Sequence, residues 1–73
     1  MEEFINNLAE LLERDPQTVK PDDQFRDYNE WDSLALLGLG AMIDESYNIV
    51  IPRKEFEQLA TIQEIYHFIQ NHQ

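Results

Sequence analysis

Apolar residues recur every three or four positions in three separate stretches of this chain, and that spacing restricts it to packed helices. Phe4, Ile5, Leu8, Leu11 and Leu12 form the first stripe, with Glu2, Asn6, Asn7, Glu10 and Glu13 on the remaining face. From Leu34 the pattern broadens. Leu34, Leu37 and Ala41 make one stripe and Leu36, Leu39, Ile43 and Tyr47 another, so this helix is apolar almost all round until Asp44 and Glu45. Such a helix is either central to a bundle or partly reserved for a partner. The third stretch, Ile62, Ile65, Tyr66 and Ile69, opens on Thr61-Ile62-Gln63-Glu64, which fits a capping box. Asn48-Ile49-Val50-Ile51-Pro52 is β-like, but a lone strand has nothing to pair with, so it reads as an extended connector. Pro52 then opens a short helix predicted over 53–59, with Phe56 and Leu59 inward. The expected fold is all-α: a small four-helix bundle, one domain over residues 1–73, with a long loop between helices one and two and a short third helix.

A chain of 73 residues can bury only one modest core, although 42% hydrophobic residues, with one tryptophan, three tyrosines and four phenylalanines, suffice for folding. Fifteen acidic against five basic residues give a formal charge of −10, which repels phosphate backbones and anionic lipid headgroups. Nucleic acid and membranes are therefore not expected partners, whereas basic protein surfaces are. Cysteine is absent and the two histidines lie near the C-terminus, so neither a disulfide framework nor a metal centre is expected. Met1-Glu2-Glu3-Phe4 lacks the character of a signal peptide, and the apolar run from Leu34 to Ile43 is too short to cross a bilayer. A soluble, cytoplasmic monomer in a reducing compartment is the expectation.

The stretch from Asp15 to Asp32 holds Pro16, Pro21 and paired aspartates, and reads as a loop pinned to the core by Val19, Phe25, Tyr28 and Trp31. It ends at Asp32-Ser33. A hydrolase reading of that serine fails on missing parts, because His67 and His72 lie far along the chain on the terminal helix and no oxyanion site is evident. A calcium loop fails as well: Asp22, Asp23, Asp27 and Asp32 do not follow the alternating ligand order, and no glycine supplies the sharp turn. Two readings of the pair remain open on residue types alone. Asp32-Ser33 is only a cap, or it places a hydroxyl where helix N–H groups and the helix dipole favour a bound phosphate.

Trp31-Asp32-Ser33-Leu34, preceded by an acidic loop with Phe25 and followed by a helix ending Ile43-Asp44-Glu45-Ser46-Tyr47-Asn48-Ile49, resembles the acyl carrier protein family. The likeness continues through Ile51-Pro52, Phe56 and Leu59-Ala60-Thr61-Ile62-Gln63-Glu64-Ile65, covering essentially the whole chain. The resemblance implies a carrier rather than a catalyst. A phosphopantetheinyl transferase would join phosphopantetheine to the motif serine, here Ser33, and the thiol of that arm would hold an acyl group as a thioester. By the same resemblance, Asp32 helps bind the metal and align the hydroxyl during modification, and Leu34 packs beneath the arm and contributes to the transferase contact. Acyl-activating and acyl-transferring enzymes would supply the chemistry. A discrete acyl or aminoacyl carrier for fatty-acid, polyketide or related biosynthesis is expected, with a peptidyl carrier as its near neighbour. An unmodified acidic helical adaptor is the alternative from another class.

The sequence also departs from the family pattern. Positions on the front of the second helix that are acidic in many fatty-acid carriers include Ala35, Gly38 and Ala41 here, and only Asp44 and Glu45 keep that character. Partners are expected to dock on a more apolar patch including Leu36 and Ala41, flanked by Asp44 and Glu45, unless these apolar residues pack inside. Gly38 and Gly40 are the only glycines, and each costs about 1 kcal/mol in a helix relative to alanine. For Gly40, either close packing against another helix or room for a short, bulky or aromatic acyl group would offset that. Arg53 and Lys54 either balance local acidic charge or meet a partner.

Overall fold

The computed structural model describes residues 1–73. Four α-helices follow one another: α1 Glu2–Leu12, α2 Ser33–Tyr47, α3 Arg53–Phe56 and α4 Ile62–Asn71. No helix is long and apolar enough to cross a membrane. In α1, Phe4, Leu8, Ala9 and Leu12 face the core. The helix stops at Glu13, whose left-handed backbone (φ 57°) lets the Arg14 N–H reach back to Ala9 O at 2.9 Å.

The loop from 13 to 32 is fixed by specific bonds. It contains two one-turn 3₁₀ helices, Pro16–Thr18 and Phe25–Asp27, and buries Val19 and Phe25. Arg14 pairs with Glu30 at 2.9 Å and lies 4.0 Å over the Tyr28 ring. The Tyr28 hydroxyl donates to Asp23 Oδ2 at 2.7 Å, holding that carboxyl below the usual carboxylate range. Backbone bonds from Ile62 N–H to Asp23 O and from Gln63 N–H to Pro21 O then tie the loop to the start of α4.

In α2, Ala35, Leu39 and Ile43 are separated by four residues each and form the buried stripe. Ala35 is only 7% exposed, so the expectation that it stands on the outer front is corrected: its small side chain lets α2 sit close to the core. Gly38 is corrected in the same way. A methyl group built on it would stand 2.6 Å from Leu11 Cδ1, so this glycine permits the close approach of α1 and α2. The stripe of Leu34 and Leu37 faces outward, at 77% and 71% exposure, and Leu36 is also exposed rather than grouped with Leu39 and Ile43.

Asn48 closes α2 in the left-handed conformation (φ 60°) rather than extended, and residues 49–52 form a connector without regular secondary structure, with Ile49 buried and Val50 exposed. The short helix ends at Phe56, not Leu59, for an identifiable reason. Beyond it the chain tightens to i→i+3 bonds, Gln58 N–H to Glu55 O at 3.1 Å and Leu59 N–H to Phe56 O at 3.0 Å; Phe56 O also accepts from the Arg26 guanidinium at 3.0 Å, and the Ala60 N–H donates to Glu64 Oε1 at 2.6 Å. In α4 the capping box is complete, and Ile62, Ile65 and Ile69 are fully buried.

Candidate functional site

Asp32 is the N-cap of α2. Its backbone is extended, and its Oδ1 accepts the Ala35 N–H at 2.8 Å. That bond occupies one of the free N–H groups of the first turn and leaves Ser33, the first helical residue, exposed at the positive end of the helix dipole. A helical turn takes about 3.6 residues, so Leu37, Gly40, Ala41 and Asp44 descend from Ser33 on the same side of α2.

A cleft of about 670 Å³ runs along this side. Leu36, Leu37, Gly40 and Ala41 form its α2 wall, and Trp31, Val50, Ile51 and Phe56 face them. Gly40 lies about 10 Å below Ser33 along the helix axis, at roughly 1.5 Å per residue. A methyl group added there would meet nothing within 4 Å. Close packing therefore explains Gly38 but not Gly40, whose missing side chain widens the cleft.

The candidate residues are not all together. Asp32, Ser33 and Leu34 form the top of α2, but Leu34 points to solvent and does not line the cleft. Leu36, Ala41 and Asp44 border the cleft, whereas Glu45 lies round the helix in a shallow groove with Asn7, Glu10 and Met42. Leu37 and Val50, both more than 70% exposed and both lining the cleft, were not singled out as site residues by sequence reasoning. The position of Leu37 four residues after Ser33 carried the signal; that of Val50 depends on how the connector folds back.

Residues 2–69 match the family described as "Phosphopantetheine attachment site". The acyl carrier protein of Thermosynechococcus vestitus is 34% identical over 64 residues, covering 88% of this chain and 79% of that protein. The acyl carrier protein of Rubrobacter xylanophilus is 32% identical, with coverage of 99% and 94%. The meromycolate extension acyl carrier protein of Mycolicibacterium smegmatis is 30% identical, with coverage of 94% and 74%. An all-α bundle is in keeping with these likenesses, and the chain belongs to the acyl carrier protein family.

Proposed function

We propose that residues 1–73 form a carrier unit for fatty-acid or related biosynthesis, with phosphopantetheine joined to Ser33 and its cargo sheltered between α2 and α3. The observation that carries this reading is the shared face of α2, which has Ser33 at its top and the open cleft beneath. The chain has two serines, and Ser46 is the weaker candidate. It sits in the last turn of α2, where the helix dipole disfavours a phosphodiester, and beside the α1–α2 groove rather than the cleft.

The residues fit the group on three counts. Ser33 is exposed, the N-terminal turn of α2 offers N–H groups towards a phosphodiester, and the cleft below is predominantly apolar and continuous past Gly40. When bound, the arm supplies a thiol that holds an acyl group as a thioester. Asp32 fixes the first turn, so the Ser33 hydroxyl is presented in one place, and its second carboxylate oxygen is available to help hold a metal during modification. Leu36, Ile51 and Phe56 offer apolar cargo a wall away from water, and Gly40 leaves room for it.

A phosphopantetheinyl transferase and separate acyl-activating and acyl-transferring enzymes are the partners in this reading. Leu34 and Leu37 offer them an exposed apolar strip, with Ala41 and Asp44 below and Glu45 at its far edge. The test is the intact mass after incubation with coenzyme A, magnesium and a broad-specificity transferase. One added phosphopantetheine is expected on the wild type and none on Ser33→Ala. A folded wild type that gains none, beside a carrier that does, favours the unmodified adaptor; addition to both variants moves the attachment point away from Ser33.

A further inference from the structure

α3 is the least supported wall of the cleft. It has four residues, none of them buried, yet Arg53 and Phe56 line the cleft together with the adjoining Glu57. A turn this short does not hold itself in place, because helix nucleation alone is unfavourable. Its attachments therefore come from elsewhere. The half-buried Phe56 ring meets Phe25 at 5.6 Å and Trp31 at 6.4 Å between centroids. The other attachment is Arg26, from the second 3₁₀ turn of the long loop. Its guanidinium donates to Phe56 O and to Leu59 O, 30 and 33 residues along the chain, and lies 4.6 Å over Phe25 and 5.3 Å from Phe56.

This one side chain joins three things: the loop before Ser33, the C-terminal end of α3, and the aromatic side of the cleft. A cation is favoured where the last helical carbonyls face outward, and both bonds are charge-assisted. Neither the connector at 48–52 nor the segment from 57 to 61 contributes a comparable long-range bond to α3. Arg26 also lines the cleft itself, so its guanidinium acts at the edge of the space that α3 walls.

We propose that Arg26 is a positioning residue that latches α3 as the outer wall of the cleft, and so determines how completely the cleft covers an acyl group. The cargo half of this statement rests on the carrier reading above; the latch itself does not. Arg26→Met keeps an apolar stem over Phe25 and Phe56 but removes every donor, and Arg26→Lys keeps the charge on a single ammonium.

Amide exchange of the unloaded full chain reads the latch. In Arg26→Met the amides of Glu57, Gln58 and Leu59 are expected to exchange at least about tenfold faster, while those of Leu8 and Ile65 hold their wild-type rates; Arg26→Lys falls between. Hydroxylamine cleavage of an octanoyl thioester on the same chains, loaded at Ser33, is expected to follow the same order, several-fold faster in Arg26→Met. Unchanged exchange at 57–59, or acceleration spread evenly over α1 and α4, overturns the latch. A loosened α3 with unchanged cleavage overturns its role in covering cargo. If no chain accepts phosphopantetheine, the carrier reading and the cargo half fall together, and the exchange comparison still decides the latch.

Discussion

Gly38 and Gly40 stand two residues apart in α2 and answer to different constraints. Replacing either by alanine removes a helix penalty of about 1 kcal/mol. At Gly40 nothing opposes that gain, so Gly40→Ala is expected to raise the melting temperature by about 4–8 °C in a thermal melt. At Gly38 the new methyl group displaces Leu11 Cδ1, and Gly38→Ala is expected to stabilise clearly less than Gly40→Ala. Asp32 illustrates a local role with a global effect. Asp32→Ala removes the acceptor for the Ala35 N–H and should cost about 1 kcal/mol, while Asp32→Asn, which retains an acceptor, should cost less in denaturant unfolding. The Asp32 cap was legible in the sequence because it lies within three residues of its partner. The role of Gly38 was not, because it depends on Leu11 from another helix.

Among the elements, α1 and α4 were legible because each has one apolar stripe and one polar face. α2 was harder. Its apolar residues surround the axis, so periodicity could not say that Ala35, Leu39 and Ile43 face inward while Leu34 and Leu37 face out. The end of α3 was hidden for another reason: the turn tightens there to i→i+3 bonds, and Phe56 O and the Ala60 N–H take partners, Arg26 and Glu64, from two other parts of the chain. Glu64 also gives the start of α4 a pH response. The Ala60 and Thr61 N–H groups donate to its carboxylate and hold it below the usual carboxylate range. A carboxyl with a depressed folded pKa contributes stability above its unfolded value, and that contribution is lost as pH falls through the folded one. Glu64→Gln keeps an acceptor but cannot titrate. Between about pH 5 and pH 3 the wild type is therefore expected to lose more stability than Glu64→Gln, a difference that paired melts across that range would register.

At the scale of the whole molecule, a charge of −10 is carried on a body with a Cα radius of gyration of 11.1 Å. The screening length is about 30 Å at 0.01 M salt and 3 Å at 1 M, so it passes from larger than the protein to smaller across that range. The two surface ion pairs, Arg14–Glu30 and Arg53–Glu57, are each worth at most about 1 kcal/mol, and weakening them offsets little of the relief from self-repulsion. The melting temperature is expected to rise with salt; a flat or falling response would contradict this account. The sequence made the negative charge and the serine at the head of α2 plain, but the cleft depends on the connector and α3 folding back over α2. The claim that joins fold to function is that cargo on Ser33 lies in that cleft. Amide and indole NMR shifts, compared between the phosphopantetheine-bearing chain and its octanoyl thioester, test it most directly. Changes are expected to centre on Gly40, Ile43, Val50, Phe56 and the Trp31 indole, with Glu10, Met42 and Ser46 unmoved. Changes centred on the α1–α2 groove, or confined to the residues beside Ser33, would contradict it.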